Sequence, residues 1–140
     1  MRSERDERGS VTVWIALASF VMMTLVGLAV DLGGQVHAQQ RTHDLAAQAA
    51  RAGGEQVQAA PAIQGRYARI DTEAARGAAQ QYLDAAGVHG TVAITGGDTI
   101  NVTVADSYDP RFLPFLGIKR LDVTGTASAR LVRTFGGTEQ

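Results

Sequence analysis

The chain has 140 residues, with 13 Lys+Arg against 14 Asp+Glu and a formal net charge of -1, room for one small domain and at most a membrane anchor. No basic surplus marks a nucleic-acid footprint, and the absence of cysteine excludes disulfide frameworks, thiol catalysis and Cys-type zinc sites. A mean hydropathy of -0.04 conceals a strong asymmetry along the chain.

Residues 1–10 alternate Arg2, Arg5 and Arg8 with Glu4, Asp6 and Glu7, and then residues 11–30 run without a charge. Twenty helical residues rise about 30 Å, the thickness of a bilayer's hydrocarbon core. Val11, Val13, Ile15, Leu17, Phe20, Val21, Leu25, Val26, Leu28 and Val30 supply half of the run. At about 0.3–0.6 kcal/mol each on insertion scales, they outweigh Thr12, Ser19 and Thr24, whose hydroxyls bond back to their own helix. Three Arg precede the span, whereas Asp31 follows it and no cation comes before Arg41, so the flanks predict a cytoplasmic N-terminus. Trp14 falls near the cytoplasmic end, where an indole suits the interface. A secretory signal also starts with cations and an apolar run, usually of about 7–15 residues. Here the run is longer and no A-x-A closes it, although Gly27-Leu28-Ala29 offers small side chains. Asp31 has two readings: a boundary residue in head-group water, or a partner for a cation on a neighbouring subunit.

Residues 35–58 contain no proline and are rich in Gln and Ala, which favours a continuing helix. Ala46, Ala49, Ala50, Gly53 and Val57 recur at three and four, a stripe of small side chains that lets another element approach closely. Gly33-Gly34 is a place for the helix to loosen, and Gly53-Gly54 a place for it to end or kink. Residues 59–69, with Pro61 and Gly65, read as a connecting loop. Asp71 is the expected N-cap of a second helix over 72–86, with Glu73 in its first turn and Gly87 just beyond its end. Its apolar side is Ala75, Ala78, Ala79, Tyr82, Leu83 and Ala86, while Arg76, Gln80, Gln81 and Asp84 face water.

From there the period changes from about 3.6 to 2. Residues 91–95 and 99–105, joined by Gly96-Gly97-Asp98, read as a hairpin with Val92 and Ile94 facing the same layer as Ile100, Val102 and Val104. In 121–131, Leu121, Val123, Ala127, Ala129 and Leu131 alternate with Asp122, Thr124, Thr126, Ser128 and Arg130, a strand with one wet face. Between them, residues 108–118 contain Asp109-Pro110 and the run Phe112-Leu113-Pro114-Phe115-Leu116-Gly117, expected to close over the core.

Catalytic and cofactor signals are missing. His37 and His43 fall on different faces of a helix and His89 falls in a turn, so no metal site is expected. No H-E-x-x-H, G-x-S-x-G, Walker or G-x-G-x-x-G motif occurs. The carboxylates Asp71, Asp84, Asp98, Asp106, Asp109 and Asp122 are dispersed, with no paired environment for acid and base work. The expectation is no enzyme, no cofactor, no metal and no nucleic-acid partner.

The order of these features, with Arg8-Gly9-Ser10-Val11-Thr12-Val13 opening the span, Ala29-Val30-Asp31-Leu32-Gly33 closing it and Leu45-Ala46-Ala47-Gln48-Ala49-Ala50-Arg51-Ala52-Gly53 following, resembles the TadE/TadG-like tight-adherence (Flp) pilus-assembly pseudopilin family. Leu116-Gly117-Ile118, followed by the Ala/Ser/Thr-rich stretch 123–130, is similar to the end of many members. The resemblance implies a minor pilin or pilus-assembly component of a bacterial envelope, with a pilin-like head, membrane lipid and other pilus subunits as partners, and a prepilin peptidase acting at Gly9-Ser10. Many members carry Glu at the fifth residue after that bond, where this chain has Trp14. A tip, base or membrane-retained role is therefore expected over growth into a filament shaft.

The combined expectation is an α+β protein: leader 1–10, transmembrane helix 11–30, extracytoplasmic helix extension 31–58, a head over 59–135 with one further helix and a three- or four-stranded antiparallel sheet, and a tail 136–140. Assembly contacts are expected at Trp14, Ala16, Gly27, Ala29 and Asp31, the small residues permitting close helix approach. The alternatives are an anchored envelope domain for binding or sensing, unconnected with pili, and a secreted domain released after Ala29.

Overall fold

The computed structural model describes residues 7–59 and 72–131, with the side chains of 10–55 and 72–131. The leader residues before Glu7, the connecting segment with Pro61 and Gly65, the Asp71 cap, the side chain of Val57 and the tail 136–140 lie outside the described residues. The elements follow the order α1 (Glu7–Ala59), α2 (Thr72–Ala85), β1 (His89–Thr95), β2 (Thr99–Tyr108), a short 3-10 turn (Leu113–Leu116) and β3 (Leu121–Arg130). This is an α+β fold with one long apolar helix, one further helix and a three-stranded antiparallel sheet ordered β1-β2-β3.

Helix α1 runs for 53 residues without a break, about 80 Å at the α-helical rise. It does not end at Gly53-Gly54, contrary to the expectation from local propensity, and its assignment is continuous through Gly33-Gly34 as well. The physical reason is packing: Gly34 lies under the Tyr108 side chain, and a Cβ on Gly53 would sit 2.6 Å from Ile100 Cδ1 and 2.8 Å from the Ala75 carbonyl oxygen. Glycine costs a helix only about 1 kcal/mol relative to alanine, and tertiary contact at these two positions offsets that cost.

The same contacts fix how the sheet lies on the helix. Ile100 meets Gly53, Gly125 meets Thr42 and Tyr108 meets Gly34. From Gly53 down to Gly34 the helix travels about 28 Å, and from Ile100 to Tyr108 the strand travels about 26 Å. Strand β2 therefore descends nearly along the axis of α1, towards the apolar run. Ala46, Ala49 and Ala50 of α1, Ala75, Ala79 and Leu83 of α2, and Ile100, Val102, Val104 and Leu131 form one core. Alternate residues of β3, Asp122, Thr124, Thr126, Ser128 and Arg130, stay exposed on the other face of the sheet.

Helix α2 ends one residue earlier than the periodicity suggests. Gly87 has φ +67°, and the amides of Gly87 and Val88 donate to the carbonyls of Asp84 and Leu83, the paired bonds that terminate a helix with a left-handed residue. Ala86, expected on the apolar side, is exposed. The hairpin extends beyond the expected strands at both ends, so His89 opens β1 instead of lying in a turn, and β2 reaches Tyr108.

Candidate functional site

The charge-free run of α1 is the largest exposed apolar surface of the described chain. Trp14 is 72% exposed, Phe20 70% and Met23 73%, and Val11, Val13, Ile15, Leu17, Val21, Leu25, Val26 and Leu28 are open as well. The Thr24 hydroxyl donates to the Phe20 carbonyl 2.9 Å away, so it brings no unsatisfied donor to that surface. Among helices in the described residues, α1 alone is long and apolar enough to cross a membrane. The protein's own chain covers this run at one position: the Phe112 ring lies over Gly27, where a Cβ would fall 2.7 Å from Phe112 Cγ and Cδ1.

One turn above Gly27 the helix presents Asp31, which is fully buried. Its Oδ1 accepts the backbone amide of Arg111 at 2.7 Å, and its Oδ2 accepts those of Phe112 and Leu113, each at 2.7 Å. A carboxylate on α1 thus caps the start of the turn Leu113–Leu116, whose own N-cap residue, Phe112, supplies no side-chain bond. Burial pushes the Asp31 carboxyl up, but the three amides and the nearby Arg111 charge more than offset this and hold it below the ordinary aspartate range. Asp31 is therefore not in head-group water. It ties the base of the head to the end of the apolar run, across about eighty residues of sequence.

The turn beyond this clamp does not close over the core as its composition suggests. Leu113 packs inward and Pro110 is buried, whereas Phe112, Phe115, Leu116 and Ile118 point outward. The turn is self-contained: Gly117, at φ +88°, and Ile118 donate to the carbonyls of Pro114 and Leu113.

Of the other residues singled out above, Trp14, Ala16 and Ala29 are exposed on α1, while Gly27 and Asp31 are taken up by contacts within the chain. Gly9 and Ser10 lie in the helix a few residues after it starts at Glu7. His37 and His43 are exposed, and no group of three or more His, Asp or Glu able to hold a metal occurs among the described residues. A shallow groove between α1 and β3, lined by Gln39, Gln40, His43, Asp44 and residues 124–126, is crossed by a hydrogen bond from the Gln39 side-chain amide to the Thr124 carbonyl. Sequence reasoning flagged Asp31 as an unusual charge but missed its partners, because backbone amides leave no mark in a sequence.

Residues 9–60 match the family model described as Flp pilus-assembly TadE/G-like. The chain carries a TadE/G-like segment. The match covers the whole apolar run, Asp31 and the alanine stripe; the TadE/G-like segment therefore includes both the surface left bare and the helix face on which the sheet rests. Comparison with curated proteins and with solved structures finds no match.

Proposed function

We propose that the protein is a membrane-anchored minor pilin-like or assembly component of a bacterial Flp-type pilus system. In this reading residues 11–30 span the membrane once, the N-terminus is cytoplasmic and the α+β head stands outside. Its work is assembly and not turnover. The observation that carries the reading is the TadE/G-like match over a helix whose apolar run is bare while its continuation is packed. A run of this length and exposure needs lipid or other apolar helices around it.

Trp14, Ala16 and Ala29 are the side chains left free for lateral contact with other pilus subunits, with the small ones allowing close helix approach. Gly9-Ser10 is the candidate point for a prepilin peptidase. Without Glu at the place held by Trp14, a tip, base or membrane-retained role is favoured over the shaft.

The chain has no native cysteine, so single Ala16→Cys and Ala29→Cys variants give clean reporters. Disulfide or bifunctional crosslinking in native membranes is expected to trap other pilus-assembly subunits, and deletion is expected to impair pilus production. A chain that stays uncrosslinked there and whose loss leaves pili and secretion intact refutes the reading. Labelling with a membrane-impermeant maleimide tests orientation: Ala93→Cys should react in intact cells, and reaction only after lysis refutes the outward head.

A further inference from the structure

We propose that residues 112–118 insert into the outer surface of the same bilayer that α1 crosses, giving the head a second, apolar seat on the lipid. This rests on the membrane-anchor reading above and adds to it the depth at which the head sits.

Four observations converge. Phe112 lies on Gly27, three residues inside the end of the charge-free run, so its ring reaches a level about 6 Å below Asp31 along the helix. Asp31 and its three bonds hold the backbone of residues 111–113 at the end of that run. Second, the turn presents its apolar side chains outward: Phe115 is 90% exposed and Leu116 70%, with Phe112 and Ile118 partly open beside them. This is a high density of exposed large apolar groups on a short segment of an otherwise polar head.

Third, much of the turn's backbone is already hydrogen-bonded within the protein. The amides of Arg111, Phe112 and Leu113 bond to Asp31, those of Phe115, Gly117 and Ile118 bond to carbonyls within the turn, and Pro114 has no amide hydrogen. Lipid-exposed irregular backbone does not occur within the hydrocarbon region, so the apex belongs at the acyl boundary, where its remaining polar groups still reach head-group water. Fourth, exposed cations flank the apolar apex: Arg111 on one side, Lys119 and Arg120 on the other. Arg120 is paired with Asp109 at 3.4 Å, which leaves Arg111 and Lys119 placed to meet lipid phosphates while the apex enters the acyl boundary. Depth beside a spanning helix, together with this charge pattern, selects lipid over a second protein as the occupant.

The test uses the full chain in vesicles of equal parts phosphatidylcholine and phosphatidylglycerol, with lipids brominated near the head group as quenchers. Trp14 is the only tryptophan and reports on the anchor. In a Trp14→Phe background, Phe115→Trp reports on the turn and Ala93→Trp, on the far half of the exposed β1, reports on water. Phe115→Trp is expected to emit to the blue of Ala93→Trp and to lose most of its fluorescence to the brominated lipids, as Trp14 does. If Phe115→Trp is quenched no more than Ala93→Trp while Trp14 is quenched, the insertion is refuted and the anchor stands. If Trp14 also escapes quenching, the anchor reading falls and this inference with it. A blue-shifted but unquenched Phe115→Trp overturns the lipid assignment in favour of a protein contact. Leu116→Trp repeats the measurement should Phe115→Trp fold poorly, judged by near-ultraviolet circular dichroism.

Discussion

Replacing Gly125 by alanine should separate the sheet from the long helix. Gly125 lies within β3 opposite Val104, and a Cβ there would overlap the backbone of Thr42 and His43. The obstruction is main chain in the middle of α1, so no rotamer change relieves it. The sheet has to lift, opening space beside Ala46, Ala49, Val102 and Val104, all of which are buried. Overpacking a core costs about 1–3 kcal/mol, and a backbone obstacle puts this case at about 3 kcal/mol. In a head of this size about 1 kcal/mol moves the melting temperature by about 4–8 °C, so the expected fall is about 12–24 °C. The assay is thermal unfolding of the full chain in detergent micelles, followed by the near-ultraviolet signal of Tyr82 and Tyr108, which lie in the head. Gly54→Ala is the control: nothing lies within 4 Å of its added methyl, and alanine is better in a helix by about 0.8–1.0 kcal/mol, so that variant should melt slightly higher. A Gly125→Ala protein that melts with the native one, or two variants that shift in the same direction, would refute the packing argument.

Leu83, fully buried where α2 meets the sheet, should lose about 2–5 kcal/mol of stability as Leu83→Ala; denaturant titration of the same tyrosine signal checks it, and an unchanged midpoint contradicts the core assignment. Placing arginines at mid-span, as Phe20→Arg with Val21→Arg, adds about 6–8 kcal/mol to the insertion cost; the double variant should leave the membrane pellet on alkaline carbonate washing, and full retention would count against the span. The folded Asp31 carboxyl lies below its ordinary value, so its hold on residues 111–113 is complete above the unfolded value of about 3.9 and is lost as the pH falls through the folded one. Hydrogen exchange of those three amides, corrected for intrinsic rate, should therefore be slow near neutrality and rise in acid. Asp31→Asn should raise it near neutrality and remove its pH dependence, since the side-chain NH2 faces backbone donors and does not titrate; protection that ignores both pH and the substitution refutes the clamp.

The periodicities and the uninterrupted apolar run were legible without coordinates because they are one-dimensional properties: solvent decides which face or segment avoids water, and the spacing of side chains reveals it. The long helix, the amphipathic α2, the hairpin and the one-sided β3 follow from that. So does the stripe Ala46, Ala49, Ala50 and Gly53, whose small size already announced a close neighbour. The glycine pairs and the turn after Pro110 show where local reasoning stops. Gly34 and Gly53 were read as weak points, yet they are the points at which Tyr108 and Ile100 dock. The turn was read as a cover for the core, yet only Leu113 is drawn inward and the remaining apolar groups face out. Asp31 was recognisable as a charge out of place, but its partners are backbone amides some eighty residues away, and any sequence supplies such amides. Sequence spelled out which surfaces must leave water. Tertiary structure alone decided how far down the helix the head reaches, because that depth depends on the register of contacts between distant segments and on no local preference of either.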